Sequence, residues 1–160
     1  MNFTLNSRKL QKACRADFHK VKRFYEGVLM FNYEDILTPL ALTVIIDNKV
    51  RQPEMKAFCV QAAGLIEFFD LPPLSEADLL KWYTHNEDDL RNALTDKRKN
   101  TIILRALTRF KEDSQVEAIY EAMLAISISD KEYHTEESEL IKSAASIWGF
   151  SRPPFKVMRD

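Results

Sequence analysis

Two stretches of the chain place an Asp seven residues ahead of a Glu, between apolar helical runs: Asp47 with Glu54, and Asp130 with Glu137. Carboxylates gathered at a turn can ligate a hard cation, cap a helix, or do both. As ligands they match the second half of an EF-hand loop, where an oxygen ligand at position five is followed by a bidentate Glu at twelve. The first half is missing. Positions one and three would be Thr43 and Ile45 in one copy and Ile126 and Ile128 in the other, which offer a single weak oxygen ligand. One such turn cannot enclose Ca²⁺, whereas two brought together supply four carboxylates. His134 adds a nitrogen, completing an Asp-x3-His-x2-Glu cluster whose mixed donors suit Zn²⁺ or another transition ion. The candidate metal set is therefore Asp47, Glu54, Asp130, His134 and Glu137, with Ca²⁺ or Zn²⁺ as the candidate cation. The same acids also admit a structural reading. An Asp can accept N–H bonds from its turn, and a Glu in the first turn of the next helix complements the helix dipole at ~0.3–1 kcal/mol.

Other chemistry finds little footing. Cys14 and His19 are five apart and on different helix faces, no Ser sits in a nucleophile elbow, and three scattered glycines cannot build a phosphate loop. A hydrolase built on an acidic metal centre is the remaining enzymatic alternative, and the composition favours a non-enzyme. Cys14 and Cys59 lack the number and spacing of a disulfide framework and read as reduced core thiols.

The elements that would hold these acids are helical. With 160 residues, 46% hydrophobic, only three Gly and abundant Leu, Ala, Glu and Lys, the chain reads as one all-α domain of about seven helices spanning residues 1–160. Apolar positions Leu10, Cys14, Phe18, Val21, Tyr25 and Val28 recur at helical steps and predict a basic amphipathic helix over about 8–30. A second helix is expected over 33–46, with Pro39 kinking it or marking its true start, and a third from Pro53 to about Phe69. Ser75 should cap a fourth that runs to about His85. Residues 87–110 read as one helix or two, with a weak point at Thr95-Asp96. Asp113 or Ser114 caps the next, Thr135 caps the last, and Gly149 ends it.

Aligned at an offset of 83, Ile45 meets Ile128, Asp47 meets Asp130, Val50 meets Tyr133, Glu54 meets Glu137 and Phe58 meets Ile141. The spacing predicts two pseudo-symmetric helix-turn-helix hairpins, 33–69 and 116–149, with Val50 and Tyr133 as buried plugs. These turns resemble those of the tellurite-resistance TerB family and the TerB-like domain of the DnaJ-like co-chaperone DjlA, whose hallmark is Asp-Gly-x-Val-x-x-x-Glu in both halves of an all-helical domain. The likeness spans roughly residues 24–155, including the closing Ile147-Trp148-Gly149-Phe150. Each Gly of the family pattern is replaced, by Asn48 and by Lys131. Asn tolerates a left-handed turn and Lys does so at a cost, so the second turn is expected to be strained or differently shaped. The resemblance implies a cytoplasmic stress-response protein acting with protein partners at the inner membrane face, with no established enzymatic activity.

Charge placement bears on partners. The net charge is −1, yet residues 1–23 carry seven Lys and Arg against Asp17, while residues 112–139 carry nine acids against Lys131. Arg8, Lys12, Arg15, His19 and Lys22 form a stripe suited to an anionic membrane surface or an acidic partner, or simply to solvent. No aromatic residues interleave it, so nucleic acid is not an expected partner. No signal peptide or ~20-residue apolar span is present, which points to the cytoplasm. The function expected is a binding or adaptor module of tellurite or metal stress, with a metal-sensing or sequestering protein as the alternative.

Overall fold

The computed structural model describes residues 31–132 and 134–150, and the described helices belong to one compact unit that begins at Asn32. The expected basic helix over 8–30, Cys14 and the plug residue Tyr133 lie outside the described residues. Six helices and no strand are present among the described residues: α1 Tyr33–Ile45, α2 Gln52–Phe68, α3 Glu76–Thr95, α4 Lys99–Thr108, α5 Asp113–Ser127 and α6 Thr135–Ile147. No helix among them is long and apolar enough to cross a membrane.

Helix α1 is apolar almost all round, with Ile36, Leu37, Leu40, Ala41, Leu42, Val44 and Ile45 buried. A helix of that kind must be wrapped on every side. Here α2, α3, α4 and α5 all pack on it. Its start is fixed by a reciprocal cap: Asn32 Oδ1 accepts from Asp35 N at 2.8 Å and Asp35 Oδ2 accepts from Asn32 N at 3.0 Å. The same carboxylate accepts two bonds from the Arg109 guanidinium, each 3.2 Å, which ties the end of α4 to the start of α1. Because Asn32 starts the helix, Pro39 does not: it lies inside α1 and is buried, and its missing N–H removes only the bond to the Asp35 carbonyl.

The α2 helix carries Pro53 in its first turn and buries Phe58, Cys59, Ala62, Leu65 and Ile66. Burial pushes the free Cys59 thiol above its usual pKa, as for an inert core residue. Helix α2 ends where Asp70 turns left-handed (φ 55°), with Asp70 N donating to Glu67 O and Leu71 N to Ile66 O. This is the C-terminal cap usually given to Gly. Gly149 (φ 74°) closes α6 in the same way, through Gly149 N to Ser146 O and Phe150 N to Ala145 O.

Ser75 caps α3 as expected, its Oγ accepting from Asp78 N at 3.1 Å. Helix α3 does not stop at His85. Asn86 Nδ2 donates back to Trp82 O (2.8 Å) and Glu87 pairs with Arg91 one turn on (2.8 Å), so the helix continues to Thr95. The break comes at Asp96, whose Oδ1 accepts from Lys97 N and whose carbonyl accepts from Lys99 N. Two other N-caps fall one residue before the expected ones, at Glu112 and His134, neither with a side-chain cap bond.

The hairpins are pseudo-symmetric in their turns and differ in their surroundings. Helix α2 lies against α1, α3 and α5, whereas α6 lies against α5 and α4. The Trp148 indole N–H donates to Leu107 O at 3.0 Å and sets the end of α6 on α4.

Candidate functional site: the paired acidic turns

After α1 the chain makes a turn whose opening bonds the chain after α5 repeats. Asn48 N donates to Ile45 O (3.0 Å), and 83 residues later Lys131 N donates to Ile128 O (3.1 Å). Asp47 Oδ1 accepts from Lys49 N and Asp130 Oδ1 from Glu132 N, both at 2.9 Å. Asn48 (φ 62°) and Lys131 (φ 64°) are both left-handed. The second turn therefore keeps the shape of the first and carries the conformational cost of a Lys there, ~1–2 kcal/mol for an ordinary side chain. Arg51 and His134 then occupy matching N-cap positions in extended backbone, and their carbonyls accept from Met55 N and Ser138 N.

The five residues singled out in the sequence come together, around a sixth that the sequence reading passed over. The Arg51 guanidinium faces all four acids: Nη1 is 2.8 Å from Asp47 Oδ2, 2.9 Å from Glu54 Oε1 and 3.9 Å from Glu137 Oε1, and Nε is 3.4 Å from Asp130 Oδ2. Its partner in the repeat, His134, places Nε2 3.0 Å from Asp130 Oδ2 and 3.6 Å from Glu132 Oε2. Each turn is thus an Asp-x3-base-x2-Glu unit, with Arg in one and His in the other. That spacing was the available signal for Arg51. From α3, Arg91 Nη1 reaches Asn48 Oδ1 at 3.5 Å.

Val50 is not a buried plug. It is 39% exposed, and it is the next residue, Arg51, that turns inward. Neighbouring side chains in extended backbone point to opposite sides, so an inward Arg51 sends Val50 outward.

Glu54 and Glu137 hold equivalent, fully buried positions with unequal partners. Glu54 spends both oxygens on Arg51, Oε2 accepting from the backbone N (3.2 Å) and Oε1 from Nη1. Glu137, 1% exposed, accepts no hydrogen bond at either oxygen. Burial first, then Glu54 and Asp47, push its pKa up to about 8 against the pull of His134, and the protonated form can donate to the Glu54 carboxylate. Burial also pushes Asp130 up, but the Glu132 N–H and His134 outweigh it and leave that carboxyl below its usual value. The bond to Asp130 raises His134 against burial and the nearby Arg51. The Asp47 bond, opposed by burial and aided by Glu54, holds the Arg51 proton more firmly than usual.

Two sets of donors converge closely enough to share a cation. Asp47, His134 and Glu137 each offer one ligand atom within 4.8 Å of the others, and so do Asp130, Glu132 and His134. His134 belongs to both sets. Glu132, exposed at the rim, was not among the expected ligands, and Glu54 is the expected ligand whose oxygens Arg51 already occupies.

A protein-family model described as tellurite resistance protein TerB matches residues 34–160, which takes in every described helix but the first residue of α1. Comparisons with curated proteins and with solved structures give no match.

Proposed function

Since the chain belongs to the tellurite resistance protein TerB family, we propose that it is a non-enzymatic binding or adaptor module of tellurite or metal stress, whose paired turns take a divalent cation. The family is not a known enzyme family. Glu137 carries the metal reading. A buried carboxylate that accepts no hydrogen bond is costly unless a proton or cation neutralises it. Glu137 is such a group, and it faces Asp47 and His134 at ligand-sharing distance. The imidazole in both donor sets favours Zn²⁺ or a similar transition ion over Ca²⁺, which prefers oxygen alone. The arrangement also couples the two hairpins, because His134 from one and Asp47 from the other would share the ion. A binding module whose turns are drawn together by metal can present its surface to a partner in a metal-dependent way.

The test is calorimetric titration of the full chain with Zn²⁺, Ca²⁺ and Mg²⁺, repeated on Glu137→Gln, Asp47→Asn and His134→Ala. Binding of Zn²⁺ by the native chain, weakened in all three variants, is expected. Binding that persists unchanged in Glu137→Gln moves the ion elsewhere, and no binding by the native chain leaves the acids as turn and helix caps.

A further inference from the structure

We infer that Arg51 is a tethered cation standing where the divalent ion would bind, so that the ion and the Arg51 guanidinium exclude one another; this rests on the metal reading of the paired turns. One guanidinium faces an acid at every corner of the cluster, at 2.8, 2.9, 3.4 and 3.9 Å. No other Lys or Arg among the described residues pairs with these four acids in this way. An ion bound to Asp47 and Glu137 would sit ~2.0–2.6 Å from their oxygens. Nη1 lies 2.8 Å from Asp47 Oδ2 and 3.9 Å from Glu137 Oε1, so the two cations would compete for the same carboxylates.

The repeat shows what each turn brings to the shared space. At the matching N-cap position one copy has an imidazole, which can give a lone pair to a metal. The other has a guanidinium, which has no lone pair to give and does not deprotonate. One turn therefore supplies a ligand and the other a competitor. Arg51 is also placed to leave. Its side chain is 22% exposed, and its neighbours Lys49, Val50, Gln52 and Pro53 are all exposed, so an outward swing unpacks nothing in the core. Glu137, which Arg51 reaches only at 3.9 Å, is the acid that the tethered cation serves least and that an entering ion would serve most. The consequence is a threshold. The site stays filled by Arg51 at low ion concentration, and it takes metal, and releases a positive side chain to the surface, only when the ion is abundant.

The experiment compares Zn²⁺ titrations of the native chain and Arg51→Gln, with Ca²⁺ in a parallel arm. It also follows the Arg51 Nε–H resonance of the native chain through the Zn²⁺ titration, which needs no variant. Removing the competitor should tighten Zn²⁺ binding about tenfold or more, equivalent to about 1.4 kcal/mol. The native Nε–H resonance should shift toward that of a solvated arginine as the ion enters. Equal or weaker binding by Arg51→Gln, or a resonance unmoved at saturating Zn²⁺, overturns the inference and leaves the metal reading standing. Binding by Arg51→Gln alone overturns the threshold, and with it the metal reading for the native chain, and leaves Arg51 as a permanent occupant of the site. Binding by neither overturns both.

Discussion

In metal-free protein, Glu137→Gln should remove a pH dependence that the native chain carries. The Glu137 carboxyl is buried, accepts no hydrogen bond and feels Glu54 and Asp47, so it keeps its proton to about pH 8 in the folded chain against a usual 4.5. Below the lower value both folded and unfolded chains hold the proton, and the side chain does not discriminate between them. Between the two values the folded chain keeps a proton that the unfolded chain has released, so stability falls as pH rises. Above the upper value the whole cost of the buried anion is present. At about 1.36 kcal/mol for each pH unit, the interval corresponds to roughly 4–5 kcal/mol. The turn is partly open to water, as the 22% exposure of the Arg51 side chain shows, which brings the working magnitude to about 2 kcal/mol. Glutamine keeps the shape without the charge. Urea denaturation followed by circular dichroism, with chelator, at about pH 5.5 and about pH 9, should show the native chain losing about 2 kcal/mol more than Glu137→Gln. His134 acts in the same direction: its pKa is raised, so its stabilisation is present below the unfolded value and lost as pH rises through the folded one. Both proteins keep the Asp130 bond that leads this shift, so that part cancels in the difference, and the part owed to the Glu137 charge is lost with it in Glu137→Gln. Parallel pH curves for the two proteins, or a Glu137→Gln chain weaker than native at pH 9, would refute the reasoning.

Lys131→Gly should stabilise the fold by about 0.5–1 kcal/mol, because Gly accepts φ 64° without the crowding of a Cβ, while Asn48→Gly should change little; thermal unfolding of the two variants decides it. Val50→Asp, at an exposed position, should cost no more than ~0.5 kcal/mol, whereas Phe58→Ala, at a buried one packed edge-on against Tyr83, should cost about 3–5 kcal/mol. A large loss in Val50→Asp would restore the plug. Reversing Arg8, Lys12, Arg15 and Lys22 to Glu in the full chain should abolish co-sedimentation with anionic vesicles, and native binding should weaken as salt shortens the screening length below ~10 Å. Native binding that is equal on neutral vesicles, or indifferent to salt, would refute a role for the basic stripe on an anionic surface.

Helix ends proved legible wherever their chemistry is local. Ser75, Pro53 and Gly149 act on bonds within four residues, and each does in the structure what its type suggests. The continuity of α3 through His85 to Glu87 was not legible, because it depends on the particular pairing of Asn86 with Trp82 and Glu87 with Arg91 among several polar residues that could equally have faced water. The acids of the site were visible as a repeat, since spacing alone marks them. Arg51 was not: an Arg in a polar turn is ordinarily solvated, and its inward turn shows only once Asp47 and Glu54, the local acids it bonds at 2.8 and 2.9 Å, are themselves buried beside Asp130 and Glu137 of the other hairpin. The inward Arg51 and the outward Val50 are one error with a single cause: in extended backbone only one of two neighbours can face the acids, and the apolar one was assigned that side.

The all-round burial of α1 bears on how the chain comes apart. Among the described residues four helices close over α1, and a helix apolar all round beyond its first turn has no partly unfolded arrangement in which it can rest against water. Withdrawing any of α2, α3, α4 or α5 bares part of it, so local openings of the bundle are coupled to the whole. The amides from Ile36 to Ile45, Pro39 excepted, would then exchange with solvent only through global unfolding, as the slowest cluster among the described helices. During synthesis α1 emerges before each of the described helices that pack on it. It is therefore the segment most exposed to misassociation until α5, the last of its four neighbours, arrives.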